Sequence, residues 1–190
     1  MQVNKDFKIK GLIEFKPTVH GDSRGQFIET FNEELLRDHG FDYHFKQDNQ
    51  SISSAYVFRG IHLQSDPYAQ GKLVRVAKGS AIDYAVDLRP GSKTFGQWES
   101  VLLTADEGNQ FWVPPGFGHA FMALEDDTIF CYKCTELYAP NHQVSIRWDC
   151  PDIKLSLPNG IIPTISEKDE QGLYLTEFAA TVNNKGGSFI

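Results

Sequence analysis

The stretch AIDYAVDL alternates without a break: Ile82, Tyr84, Val86 and Leu88 fall on one side of an extended chain, and Asp83, Ala85 and Asp87 on the other. Side chains on a strand repeat every two residues, whereas a helix would scatter these same residues around its circumference. The period continues through GKLVRVAKG, QFWVP, HAFMAL and TIFCYKCTEL, and RPGSKTFG and TADEGN break it with residues that favour turns. Short strands with such punctuation between them specify a sandwich or a barrel. A β-rich core is therefore expected from about residue 45 to residue 150.

Helix signals are few. In EELLRDH, Asn32 stands at the N-cap, Glu33 and Glu34 occupy the first turn, and Gly40 marks the stop. SEKDEQG is expected to form one short turn with Ser166 as cap and Asp169 at the capping-box position, although that box prefers Glu or Gln. TVNNKGGSFI has little periodicity, so residues 180–190 are expected to form a loose tail.

A chain of 190 residues that is 41% hydrophobic and 23% charged can bury one sizeable core, so residues 1–190 are expected to form a single domain. With 18 Lys+Arg against 25 Asp+Glu the formal charge is −7, which opposes attraction to nucleic acid or to an anionic membrane surface. No run of about 18 apolar residues occurs, and MQVNKDFKIKG carries neither an apolar signal core nor an Arg/Ser-rich amphipathic stretch. A cytoplasmic location is expected. Cys131, Cys134 and Cys150 are too few for a disulfide framework and suit a reducing compartment. Cys131 and Cys134 have CxxC spacing, but residues three apart on a strand point to opposite faces, and nothing nearby completes a zinc site.

FRGIHLQ places His62 in a strand, and PPGFGHAF places a second histidine, His119, further on. Metal-binding cupins are small barrels that usually hold their ion with three histidines and a carboxylate, two of the histidines as HxH. Here the element reads His62-Leu63-Gln64, so the second histidine of HxH is missing and no glutamate follows at the usual spacing. A metal is not expected. Without one, His62 is either a hydrogen-bonded interior residue or an oriented imidazole able to take a proton near neutral pH.

Eight ordered blocks carry a resemblance: DSRGQFIETF (22–31), QDNQSIS (47–53), FRGIHLQ (58–64), AQGKLVRVAKG (69–79), VDLRPGSKTFGQW (86–98), WVPPGFGHAF (112–121), YKCTELYAP (132–140) and IRWDCPDI (146–153). Together they resemble the dTDP-4-dehydrorhamnose 3,5-epimerases, which invert two carbons of a nucleotide-linked 4-keto-6-deoxy sugar. The resemblance implies a metal-free, mainly β cupin-type double-stranded β-helix, or jelly roll, with a few short helices. It also implies no cofactor, a nucleotide-sugar substrate, and a homodimer formed through swapped strands.

The hydrogens beside a ketone are acidic because their removal gives an enolate. Epimerisation therefore needs a base on one face, a group that steadies the oxygen, and an acid on the other face. The resemblance assigns His62 as base, Asp169 as the carboxylate that orients it, Lys72 as the enolate-stabilising group and Tyr132 as acid. Tyr132 shares a strand face with Phe130 and Cys134. By the same resemblance Arg24, Arg59 and Lys168 bind phosphate and sugar, as the forked contacts of arginine allow. Glu29, Gln47, Asn49, His119 and Gln143 match further substrate positions. Regular alternation would send Arg59 and His62 to opposite faces, so a bulge at Gly60 is expected to turn both inward.

Three departures accompany the match. Where the family has EHERGIRW this chain has NHQVSIRW, so a glutamate becomes Gln143; Leu63 replaces a tyrosine; and Tyr56 replaces a glycine. None removes a catalytic group, and all leave room for a relative that acts on another nucleotide sugar, as an epimerase inverting only C3 or only C5 or as a ketoisomerase. A non-catalytic sugar-binding cupin is the other alternative, and the joint presence of His62, Lys72 and Tyr132 argues against it.

Overall fold

The computed structural model describes residues 1–158 and 160–184. Its strands, in chain order, are β1 (Gln2–Asn4), β2 (Ile13–Lys16), β3 (Val19–Asp22), β4 (Gly25–Ile28), β5 (Gln47–Ser53), β6 (Phe58–Gln64), β7 (Lys72–Lys78), β8 (Ser80–Asp87), β9 (Trp98–Thr104), β10 (Gln110–Val113), β11 (Phe117–Ala123), β12 (Thr128–Cys134) and β13 (Gln143–Ser145). Helices α1 (Glu33–Asp38), α2 (Glu167–Glu170) and α3 (Leu175–Asn184) complete the described elements, with a single 3-10 turn at Pro140–His142. One sheet runs β1-β2-β10-β7-β12-β5 and the other β13-β6-β11-β8-β9, while among the described residues β3 and β4 pair only with each other. All pairings between these strands are antiparallel. Two facing antiparallel sheets with this interleaved order form the mainly β jelly roll that the resemblance implies, within the sandwich-or-barrel class that the strand pattern predicts.

The two faces of β8 are buried against different things. Ala81 and Ala85 join Val74, Phe111, Phe121 and Phe130 in a core between the sheets, and Phe121 stacks on Phe130 with centroids 3.8 Å apart. Tyr84, Val86 and Leu88 point the other way, into a second core completed by Ile146, Leu175 and Phe178. A third apolar layer packs Leu36 and Phe41 on Trp112 and Leu73, outside the longer sheet. Each large side chain so buried contributes about 1.5–3 kcal/mol. The aspartate-bearing face of β8 thus looks into the barrel rather than to solvent, and that inversion shapes the site.

The helix signals at residues 32–40 and 166–169 are borne out. Asn32 Oδ1 accepts from the Leu35 amide at 3.1 Å, and Gly40 has φ 77°. Ser166 Oγ accepts from the Asp169 amide at 3.2 Å, but the Asp169 carboxylate does not close the capping box; it turns to a histidine.

Two expectations need correction. The longer sheet recruits β1 and β2, well before residue 45, because these three- and four-residue strands are too short to show a period. The expected loose tail is also wrong at its start: Thr181–Asn184 are the last turn of α3, and Val182 is buried. The rest of that tail, residues 185–190, lies outside the described residues. Leu175, Phe178 and Val182 recur at helical spacing, but a window opened at residue 181 cuts that stripe in two.

Candidate active site

Strand β6 has one residue too many for its neighbour. His62 faces His119 and Arg59 faces Phe121 in the β6–β11 ladder, so three residues on β6 span the length of two on β11. The extra residue falls at Gly60–Ile61, the bulge expected there. Gly60 has φ 132°, and a Cβ on it would stand 2.4 Å from Ala120 Cβ and 2.6 Å from the His119 carbonyl oxygen. Only glycine fits both the dihedral and the contact. As a result Arg59 and His62 line the same cavity, which regular alternation forbids.

His62 Nε2 lies 2.5 Å from Asp169 Oδ1, and the Gly60 amide donates to Asp169 Oδ2 at 3.3 Å. Burial would raise the Asp169 pKa, but the bond from His62 and its charge outweigh that and leave it below the usual carboxylate value. An ionised Asp169 accepts Nε2–H, so neutral His62 keeps its lone pair on Nδ1. Asp169 comes from α2, and the Ser166 cap fixes the turn that presents it.

Tyr132 reaches the same space from β12, on the facing sheet, with Phe130 and Cys134 on its strand face as expected. Burial first, and neighbouring Cys134 second, push its phenol pKa up, so the hydroxyl stays protonated at neutral pH. Lys72 opens β7 as a buried residue, and its Nζ donates to the His62 carbonyl at 3.4 Å. Burial lowers the Lys72 pKa, while Cys134 and Asp83 counter that shift.

Two cavities meet at these groups. One, of about 270 Å³, is lined by Gln47, Asn49, His62, Lys72, Tyr132, Tyr138 and Gln143; the other, of about 260 Å³, by Ser51, Arg59, His62, Lys72, His119, Tyr132, Lys168 and Asp169. His62, Lys72 and Tyr132 belong to both walls. Gln143 Oε1 accepts from the Tyr138 hydroxyl at 2.7 Å and from Lys168 Nζ at 3.0 Å. Gln47 Nε2 donates to Asn49 Oδ1 at 2.9 Å. His119 Nε2 lies 2.7 Å from Asp83 Oδ2, and burial pushes the His119 pKa down despite that carboxylate.

Ten of the twelve residues singled out in the sequence therefore converge: His62, Lys72, Tyr132, Asp169, Gln47, Asn49, Arg59, His119, Gln143 and Lys168. Arg24 and Glu29 do not. Arg24 lies on the β3–β4 hairpin, bound to Asp22 at 2.6 Å with its side chain 88% exposed, and lines a separate depression. Glu29 is exposed and accepts from Asn32 Nδ2 at 3.1 Å. Sequence reasoning missed Tyr138, Ser51 and Asp83. Ser51 continues the Gln47, Asn49 alternation on β5 and could have been found from it; Tyr138 follows the end of β12, where no period remains. Among the described residues no three His, Cys, Asp or Glu side chains group so as to hold a metal ion.

The departure at Tyr56 also has a structural correlate. Its φ is 64°, the left-handed region in which a glycine is at home. A side chain there costs roughly 1 kcal/mol.

Comparison with known proteins agrees with this fold. A chain from Methanothermobacter thermautotrophicus named dTDP-4-dehydrorhamnose 3,5-epimerase is 45% identical over 171 residues, 89% of this chain and 92% of that one. The crystal structure of a dTDP-6-deoxy-D-glucose-3,5-epimerase from Legionella pneumophila, in complex with dTDP-4-keto-L-rhamnose, is 39% identical with TM-score 0.89, covering 95% of this chain and 97% of that one. A 3'-monoepimerase from Streptomyces bikiniensis, in complex with dTDP-quinovose, is 34% identical with TM-score 0.86, over 96% of this chain and 90% of that one. With a family model for dTDP-4-dehydrorhamnose 3,5-epimerase matching residues 6–177, the chain belongs to the dTDP-4-dehydrorhamnose 3,5-epimerase family of isomerases.

Proposed function

We propose that this protein converts dTDP-4-dehydro-6-deoxy-D-glucose to dTDP-4-dehydro-L-rhamnose, inverting C3 and C5 through enolates, with no metal or cofactor in the reaction. His62 Nδ1 takes the proton from the carbon beside the ketone, and the C–H electron pair moves into the ring to place negative charge on the C4 oxygen. Lys72 donates to that oxygen. Tyr132 delivers its hydroxyl proton to the opposite face of the same carbon; the tyrosinate is then reprotonated from solvent as the His62 imidazolium releases its proton to solvent, which restores both groups for the second carbon. Asp169 holds the His62 tautomer and stabilises the imidazolium once it forms. The observation that carries this reading is that His62 and Tyr132 come from facing sheets into shared cavities, with Lys72 in both walls.

Arg59, Lys168, His119, Gln47, Asn49 and Gln143 are assigned to the sugar and diphosphate. Their cations and amides line the walls beyond the reacting groups, in a chain whose overall charge of −7 would otherwise repel the ligand. Arg24 and Glu29 are assigned to the same substrate in the site of a second copy. Among the described residues the β3–β4 hairpin pairs with no other strand, and it presents Phe27 68% exposed, so a homodimer that exchanges this hairpin gives it something to cover. A cytoplasmic location goes with this reading; among the described residues no helix is long and apolar enough to cross a membrane.

The likeness to a monoepimerase favours one second reading, inversion at a single carbon. Solvent deuterium decides between them. In D2O the proposal requires label at both C3 and C5 of the 4-keto sugar. Label at one carbon supports the single-site reading, and none supports a protein that only binds.

A further inference from the structure

Asp169 can orient His62 only while α2 stays beside β6, and α2 is four residues long. A helix that short has no stability of its own and leaves its last carbonyls without intrahelical partners. The segment after β13 is what seats it. Ser145 stands opposite His62 in the β13–β6 ladder, and just beyond, the Ile61 and Ile146 amides donate to each other's carbonyls at 3.2 and 2.9 Å. On the other side of this segment the Leu173 amide donates to the Ser145 carbonyl and the Arg147 amide to the Leu173 carbonyl, both at 2.9 Å. The chain leaving α2 is thereby laced to the segment that flanks His62.

The Arg147 side chain adds a direct grip on the helix. Its Nε and Nη2 donate to the two oxygens of Asp149 at 2.8 and 2.7 Å, a forked pair that fixes the plane of the guanidinium. Nη1 then donates to the Glu170 carbonyl at 2.8 Å. Glu170 is the last residue of α2 and directly follows Asp169. No backbone amide beyond the helix takes that carbonyl, since Leu173 donates to Ser145 and Tyr174 to the Glu177 carboxylate. Arg147 thus caps the end of α2, as a cation at a helix C-terminus does. The Tyr174 ring covers the guanidinium, with its centroid 5.3 Å from the Arg147 Cζ. Arg147 lines neither cavity of the site, so it acts on the reaction only through the groups it holds.

We infer that Arg147, held by Asp149, is a positioning residue for the reaction: by gripping the last carbonyl of α2 it keeps Asp169 within hydrogen-bond reach of His62. This rests on the proposed role of Asp169 in orienting the base. A misplacement of about 1 Å in such a pair costs on the order of 10²-fold in rate, so a contact outside the cavities carries weight inside them.

The test is Arg147→Met, which keeps an apolar stem against Tyr174 and removes the grip. The expected result is a fall in kcat of about tenfold or more. A residue that served only the fold would add this loss to any other, so the Asp169→Asn background separates the two: there Arg147→Met should cost less than about twofold in kcat. Full kcat in the single variant overturns the proposal, and so does a tenfold loss that persists without the Asp169 carboxylate. If Arg147→Met does not fold, Asp149→Asn decides, because it loosens the guanidinium without removing it; kcat should fall by about threefold or more, and this loss too should vanish in the Asp169→Asn background. A second readout is independent of turnover. The His62 Nε2 proton shared with Asp169 should give a resolved downfield proton resonance in the wild type that broadens or disappears in Arg147→Met, and an unchanged resonance overturns the proposal. Normal turnover by Asp169→Asn alone would sink the orienting role of Asp169 instead, and the resonance would still report whether Arg147 holds the pair.

Discussion

Gly60→Ala is the sharpest probe of the fold feature on which the site depends. Two costs add. At φ 132° the backbone is one that residues with a Cβ rarely adopt, a penalty of about 1–3 kcal/mol. The new methyl also meets Ala120 Cβ at 2.4 Å, Ala120 Cα at 2.7 Å and the His119 oxygen at 2.6 Å, so β6 and β11 must part, at a further cost of about 1–3 kcal/mol. The sum, about 4 kcal/mol, corresponds to a fall in Tm of roughly 8–16 °C for a domain of this size. Gly91→Ala serves as the control: Gly91 has φ 74° but nothing within 4 Å of its ideal Cβ. That variant carries only the dihedral penalty, about 1 kcal/mol, or roughly 2–4 °C. Thermal melts followed by circular dichroism compare the two, and turnover at a temperature where both are folded reports the site. A Gly60→Ala protein that melts no lower than Gly91→Ala, or one that melts low yet turns over normally, would refute the claim that this bulge brings Arg59 and His62 into one cavity.

Asp169→Asn should lower kcat by on the order of 10³–10⁴-fold, because an amide can donate to the imidazole and select the wrong tautomer; a loss under tenfold in steady-state assays would contradict the role. The same variant should change the acid limb of stability. The folded pKa of Asp169 lies below its unfolded value, so its contribution is fully present above about pH 4 and is lost as pH falls through the lower folded value. The melting difference between wild type and Asp169→Asn should therefore shrink in acid. Phe178→Ala should cost about 3–5 kcal/mol in denaturant unfolding, since Phe178 is fully buried and stacks on Phe95 with centroids 6.4 Å apart; a cost below about 1 kcal/mol would mean that α3 is not part of the core. Prolonged dialysis against a chelator should leave turnover unchanged, and activity lost and then restored by a divalent ion would require a metal-assisted mechanism.

How far the sequence carries depends on which physical signal each feature sends. The strands β7, β8, β11 and β12 were legible because seven or eight alternating residues are enough to distinguish a two-residue period from a helical one. The bulge at Gly60 was legible as a contradiction: two residues needed on one face, three apart, with a glycine between them. The turn at Ser166 was legible as a cap, yet nothing local shows that its aspartate reaches across to His62, because that contact joins residues 107 apart. Asp83 was plainly visible in AIDYAVDL and passed over, since a polar strand face is ordinarily a solvated one. Only the closing of a second sheet over that face buries it. Arg24 and Glu29 show the opposite limit: both match substrate positions in the sequence, and the fold of one chain leaves them on an exposed hairpin.

The division of labour between the two sheets can be measured with His62→Ala and Tyr132→Phe in D2O, following label in recovered substrate separately from inverted product. With the base gone, neither carbon should take up deuterium. With the phenol gone, abstraction should continue and wash label into substrate, while inverted product falls by about 10²-fold or more. Should Tyr132→Phe form product at the wild-type rate, or His62→Ala still exchange, then the imidazole and the phenol are not the two ends of one proton path.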